Sequence, residues 1–199
     1  MPGTLFPALM FETLDPLELP DDVDVAAHTV FRLGSPPLEL AYPLDQAVAL
    51  RPILDILTSR LHAIGLDASA VAVTADAVAA YAANPSTAPD MYLALATPAA
   101  AHPVLLARGY FASDAPGNVF GLILPTADRL IAQAETQAAR VASDKAFIIL
   151  SRKLTDMQGF IPIAEMRSVV VHRAGLASIV ARPSFPLGAF DYALATETP

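Results

Sequence analysis

The 199-residue sequence has no cysteine. That excludes a disulfide framework, thiol chemistry and any metal site that needs a cysteine ligand. Charge is also scarce: 16% of residues are Asp, Glu, Lys or Arg, against about 25% in ordinary soluble domains. Positive charge is the scarcer sign, with 12 basic residues against 20 acidic ones and a net charge of −8. Sequence-independent nucleic-acid binding needs clustered Lys and Arg to displace phosphate counterions, so no direct nucleic-acid partner is expected. Residues 1–99 hold twelve acidic and three basic residues, and residues 100–199 hold eight and nine. An acidic front and a near-neutral back attract one another, either within one fold or between neighbouring copies.

A long apolar run is missing too. The longest uncharged stretch, 91–107, is interrupted by Pro98, His102 and Pro103 and makes a poor membrane helix. The opening MPGTLFPALMFE lacks a basic n-region and meets Glu12 early, unlike a secretory signal. These features predict a soluble protein, intracellular when made, with no membrane insertion.

Catalytic and cofactor signatures are absent as well. The segment GLILPTADR (121–129) has the look of a strand–helix junction but carries neither G-x-G-x-x-G nor G-x-x-x-x-G-K-[ST]. Asp128 places a negative charge where a phosphate would sit. His28, His62, His102 and His172 show no H-x-x-x-H or H-E-x-x-H spacing, so no metal ligands are assigned. His102, in a loop with Arg108 and Asp114 nearby in sequence, is the best candidate for a discontinuous catalytic site. There is no G-x-S-x-G or S-x-x-K motif. Ser151-Arg152-Lys153 follows a predicted strand, and Asp22-Val23-Asp24 is a weak divalent-cation candidate without the glycine and distal glutamate of a calcium loop. No catalytic residue and no cofactor is therefore assigned.

What the sequence does have is apolar residues, 54% of the chain, and 18 prolines. Residues 1–24 read as an extended N-terminal arm, because Pro2, Pro7, Pro16 and Pro20 prevent a continuous helix. Residues 183–199 read as a C-terminal arm. Their apolar side chains Leu5, Phe6, Met10, Phe11, Leu14, Phe185, Phe190 and Tyr192 are candidate interface residues. Between the arms, residues 25–182 are expected to form one α+β core domain with a mixed β-sheet.

Three helices are expected, near 44–64, 67–83 and 126–143, from apolar residues at helical spacing. Strands are expected at 25–33 and 38–42, joined as a hairpin by Gly34-Ser35-Pro36-Pro37. Further strands are expected at 91–96, 104–111, 119–124, 146–150, 160–164, 167–172 and 176–181. The clearest unit runs from 118 to 154 as strand, helix, strand, which permits parallel pairing.

Apolar arms, low charge density and missing active-site motifs lead to one functional reading: a non-enzymatic structural subunit of a larger assembly, such as a virus or phage capsid. Its partners would be further copies or other subunits. Two other classes stand beside it. One is a hydrolase or transferase with a discontinuous site near His102. The other is a small-ligand-binding or adaptor module with an apolar pocket between helices and sheet.

Overall fold

The computed structural model describes residues 22–96, 102–137, 140–157 and 159–163, with four two-residue strands further on. The chain divides into two compact units. Among the described residues, the first holds 22–96 and 116–123, and the second holds 102–115 and those from 124 onward. The candidate arm residues Leu5, Phe6, Met10, Phe11, Leu14, Phe185 and Tyr192 lie outside the described residues, and Phe190 is described only as strand backbone. The architecture is α+β.

The first unit opens with α1 (Val23–Arg32). A hairpin strand was expected here, but Asp22 caps a helix instead: its Oδ1 accepts the Val25 N–H at 3.0 Å. The helix ends as a Schellman turn. Gly34, at φ +78°, donates to Phe31 O, and Ser35 donates to Val30 O. The glycine that suggested a hairpin is a helix stop.

Next come β1 (Pro37–Pro43), a 3-10 turn (Leu44–Gln46), α2 (Ala47–Ala63) and β2 (Asp67–Val73). Then follow α3 (Ala75–Ala83), a second 3-10 turn (Pro85–Thr87) and β3 (Met91–Tyr92). The helix near 44–64 forms where its spacing placed it. Gly65, at φ +93°, ends α2 with a second Schellman turn, donating to His62 O while Leu66 donates to Leu61 O.

The expected helix at 67–83 is half wrong. Alanine-rich DASAVAV pairs in parallel with β1 over seven positions, from Pro37↔Asp67 to Pro43↔Val73. That ladder overrides the local helix propensity of alanine. Only the part after Thr74 is helical, with the Thr74 hydroxyl accepting from Ala77 N. The three-stranded sheet has the order β2-β1-β3 and is parallel throughout, so the expectation of a mixed sheet is corrected for these strands.

On one face of the sheet, Leu40 packs with Leu50 and Leu54 of α2, and Leu38, Tyr42, Leu57, Met91, Leu93 and Leu95 surround them. Polar contacts fix the edges of this core. Asp90 accepts from Glu39 N at 2.8 Å, Gln46 Oε1 accepts from Leu95 N at 2.8 Å, and the His62 ring sits 2.8 Å from Ala68 O.

The expected strand at 119–124 is a loop. Asn118 closes it from both sides, donating to Leu122 O at 2.7 Å and accepting from Leu122 N at 3.0 Å. Gly121, at φ +60°, leaves little room for a Cβ, which would lie 3.0 Å from Ala82 O.

In the second unit, α4 (Pro103–Tyr110), α5 (Pro125–Thr136) and α6 (Arg140–Asp156) pack together. The expected strand at 104–111 is α4, because His102 Nδ1 caps Val104 N at 3.2 Å and Pro103 occupies the first turn. The expected helix at 126–143 forms as α5 and the start of α6. The expected strand at 146–150 lies inside α6. A five-residue apolar run is ambiguous between strand and helix, and burial of Ala146, Phe147, Leu150, Ser151 and Leu154 follows helical spacing. The strand–helix–strand reading of 118–154 is thus replaced by a loop and two helices.

Two polar clasps hold α4 and its following turn to α5. Arg108 donates to both Glu135 carboxylate oxygens, at 2.8 and 2.7 Å. Ser113 donates through its N–H and hydroxyl to the two oxygens of Asp128, and its hydroxyl accepts from Leu124 N at 2.7 Å. Phe111 meets Phe160 edge-on with ring centroids 4.9 Å apart. Backbone pairs join β4 (Leu176–Ala177) to β7 (Thr196–Glu197) and β5 (Val180–Ala181) to β6 (Phe190–Asp191), both antiparallel. The expected strand at 176–181 is thus two short strands, 160–163 is irregular, and 167–172 lies outside the described residues.

Leu40→Ala should cost about 2–5 kcal/mol, because it opens a cavity at the centre of the sheet–helix core. Gly121→Ala should cost about 1–3 kcal/mol from backbone strain and the Ala82 clash. Urea titration followed by circular dichroism would measure both, and losses below about 0.5 kcal/mol would contradict the packing described.

A pH dependence follows from the Arg108 clasp. Hydrogen bonds from Arg108 hold the Glu135 pKa below its ordinary value; partial burial opposes that shift and the Arg108 charge reinforces it. A carboxylate whose pKa is depressed by folding contributes stability above its unfolded pKa, and the contribution is lost as pH falls through the folded value. Glu135→Gln should therefore cost ~1 kcal/mol or less at neutral pH, as for a partly exposed ion pair. It should also flatten the loss of stability from about pH 5 downward. Melting temperatures compared across pH for the two proteins would show this.

Candidate functional site

Open parallel sheets bind ligands at the carboxyl ends of their strands, where the strand order reverses. In the first unit that point lies between β1 and β3, because the chain runs from β1 through α2 to β2 on one side and then to β3 on the other. It is occupied internally. Leu93 N donates to Ala41 O at 2.9 Å, and the next outward-running amide, Leu95 N, is taken by Gln46.

Open space lies on the other side of β1. A depression of about 360 Å³ is lined by Tyr42 of β1, Ala70 of β2, and Ala47, Val48, Arg51, Leu54 and Asp55 of α2. It exists because β2 offers small side chains. The register puts Ala68, Ala70 and Ala72 beside Leu38, Leu40 and Tyr42 on the face that carries α2. Ala68 is buried, but Ala70 and Ala72 are exposed, so the helix does not close over the outer part of β2. The wall carries one cation and one anion. Arg51 Nε lies 4.0 Å from Asp55 Oδ2, and both side chains are largely exposed. The depression is shallow, since Val48, Arg51 and Asp55 in its wall are 92%, 81% and 72% exposed. Composition alone gave no pointer to this groove; the parallel register of an alanine-rich edge strand creates it.

The residues singled out from sequence take other roles. His102 is the N-cap of α4, and its ring nitrogen is engaged with Val104 N. Arg108 is held by Glu135, and the Asp114 and Asp128 carboxylates further stabilise its charge. Asp128 is spent on Ser113. Ser151 is fully buried in the middle of α6 rather than at a strand end. Asp22 caps α1 and Asp24 lies in its first turn. His28 is exposed on α1, His62 binds the start of β2, and His172 lies outside the described residues. No group of His, Asp and Glu among the described residues is arranged to hold a metal ion. Nor is any helix among them long and apolar enough to cross a membrane.

No known protein-family signature matches the chain, and no curated protein matches it. Solved structures do. Clavulanic acid biosynthesis oligopeptide binding protein 2 superposes with a TM-score of 0.71 at 15% identity, over 99% of this chain and 38% of that one. An ABC transporter substrate-binding protein of Listeria monocytogenes gives 0.60 at 17% identity, over 78% and 32%. A periplasmic murein tripeptide binding protein in its unliganded open form gives 0.55 at 17% identity, over 76% and 30%. The chain spans 30–38% of the length of these three structures.

These neighbours overturn the reading as a capsid or virion subunit held to further copies by apolar arms, since the fold is one found in binding proteins. They are described as binding proteins and not as enzymes, so a hydrolase or transferase at His102 gains nothing from them either. The chain has the fold of a part of these three structures, and of the three classes the sequence left open that fold agrees better with the ligand-binding module than with the other two.

Proposed function

We propose that this chain is a ligand-binding module of the solute-binding type, which captures a small solute of peptide-like chemistry for an ABC transporter. One observation carries the reading: the superposition over 99% of the chain, with a TM-score of 0.71, on an oligopeptide-binding protein. The local architecture supports it. A parallel β-α-β-α-β unit gives a rigid framework, with a shallow depression beside its alanine-rich edge strand. We place such a module outside the cytoplasm, as for the periplasmic murein tripeptide binding protein, in contrast to the intracellular location expected from the lack of a secretory signal. It acts by binding and release, without bond chemistry.

Native mass spectrometry and thermal shift against pooled amino acids and di- to pentapeptides would test it. Ligand at about one hundred times Kd should stabilise the fold by about 2.7 kcal/mol. For a domain of this size that should raise Tm by roughly 5–10 °C. Absence of both retained ligand mass and thermal shift across all pools would defeat the reading.

A further inference from the structure

We propose that the outer edge of β2 takes an extended peptide as a further strand, held through the main-chain groups of Ala70 and Ala72. The proposal rests on the ligand-binding reading and adds to it a site and a mode of recognition.

The hydrogen bonds of the sheet fix which groups face that edge. In a strand, the N–H and C=O of one residue point to the same side, and those of its neighbours point to the other. Asp90 accepts from Glu39 N and Ala41 O accepts from Leu93 N, so Glu39 and Ala41 turn their main chain towards β3. Leu38, Leu40 and Tyr42 therefore turn theirs towards β2. Leu40 lies level with Ala70, and in a parallel ladder the groups that meet it belong to the flanking residues, Ser69 and Val71. Ala68, Ala70 and Ala72 are left pointing outward. The 2.8 Å contact of the His62 ring with Ala68 O fits this phase, as it occupies an outward carbonyl.

Beyond Ala68 the edge is a free template. β2 ends the sheet order β2-β1-β3, and among the described residues no strand pairs with its outer side. Ala70 and Ala72 are exposed. Edge strands that are kept from pairing carry a lysine, a proline, a bulge or an inward charge. From Ala68 to Val73 the strand has none of these: it reads ASAVAV in an unbroken register with β1.

The chemistry of the edge selects the ligand. Amide and carbonyl groups that recur every second residue, about 6.6 Å apart, match another peptide main chain. An antiparallel strand exchanges both N–H···O bonds with Ala70 and both with Ala72. The peptide residue between those two bonded positions lies opposite Val71, which is 39% exposed on the face away from α2. A β-branched side chain there makes a favourable cross-strand pair. The ligand that fits is an uncharged extended peptide with valine or threonine at its centre.

Amide hydrogen exchange and titration calorimetry on the full chain would use an acetylated, amidated pentapeptide of alternating threonine and valine. A fully N-methylated counterpart keeps the side chains and removes the donors. In the free chain the Ser69, Val71 and Val73 amides should exchange slowly and those of Ala70 and Ala72 quickly. Peptide should slow the Ala70 and Ala72 amides about tenfold or more. The N-methylated form should bind about tenfold more weakly. Ala70→Pro should weaken binding by about the same factor; it removes an N–H that β1 does not use, so circular dichroism should show the fold intact. Ala70→Val keeps that N–H and should bind within about threefold of wild type. Peptide binding with unchanged exchange at Ala70 and Ala72, or with equal affinity in Ala70→Pro, overturns the edge assignment and leaves the ligand-binding reading standing. Protection that needs no peptide and grows with protein concentration gives the edge to a second copy and overturns the proposal. Binding of neither this pentapeptide nor any peptide pool removes both.

Discussion

Parallel pairing of β1 with β2 is the constraint on which the first unit depends. Two adjacent parallel strands cannot be joined by a tight turn, because the chain must travel back the full length of the strand before it pairs again. The seven-residue ladder from Pro37↔Asp67 to Pro43↔Val73 therefore demands a long return, and α2 supplies it with 17 residues. Once α2 lies across the sheet, its apolar stripe must meet the sheet's apolar face, and Leu50 and Leu54 meet Leu40. The Schellman turn at Gly65 and the bond between His62 and Ala68 then set where β2 begins. The groove is what remains where an alanine strand is too slight to fill the space under that helix.

The second unit is fastened differently. Its three helices share an apolar interior of Leu106, Phe111, Leu130, Ile131, Phe147, Leu150 and Leu154. Apolar contact is non-directional and does not fix how far one helix slides along another. Directional bonds supply the register here. Arg108 and Ser113 lie at one end of α4 and in the turn that follows, and Glu135 and Asp128 lie two turns apart on α5. Two fixed points determine both the position and the direction of one helix on the other. Asp128, which looked from the sequence like a charge repelling a phosphate, is instead the acceptor that anchors a turn.

Legibility in the sequence followed the range of the interactions involved. Helix α2 was readable because its signals are local: apolar spacing from Val48 to Ile64 and a terminating glycine. The α+β class and β1 were readable for the same reason. β2 was not, because DASAVAV has helix-forming alanine and becomes a strand only through its partner, about thirty residues earlier. Helices α1 and α4 were missed although their caps were in plain view. Asp22 was read with an acidic arm and His102 as a loop histidine, while the β-branched residues Val25, Thr29 and Val30 argued for a strand. The 146–150 run was misread because five apolar residues fit both periods, and the neighbours that decide, Phe147 with Ser151 and Leu154, extend past the run. The groove was illegible for a deeper reason. It depends on which strand lies beside α2, and that pairing joins residues about thirty positions apart.

Low charge and high apolar content led towards interfaces with further copies, and the placement of alanine shows why that inference failed. Ala75, Ala79, Ala80, Ala82 and Ala83 of α3 and Ala70 and Ala72 of β2 are all exposed. Alanine counts as apolar in composition yet adds little apolar area at the surface and costs nothing in helix propensity. A chain can therefore be 54% apolar without a matching excess of surface that needs covering. Scarcity of charge has a consequence of its own. Where few charges are available, each one's neighbourhood says what it is for. Arg108 is fixed by two short bonds inside a helical clasp, whereas Arg51 touches its carboxylate only at 4.0 Å beside an open groove. The first arrangement costs mobility and serves rigidity. The second joins two exposed side chains in water and adds little to stability.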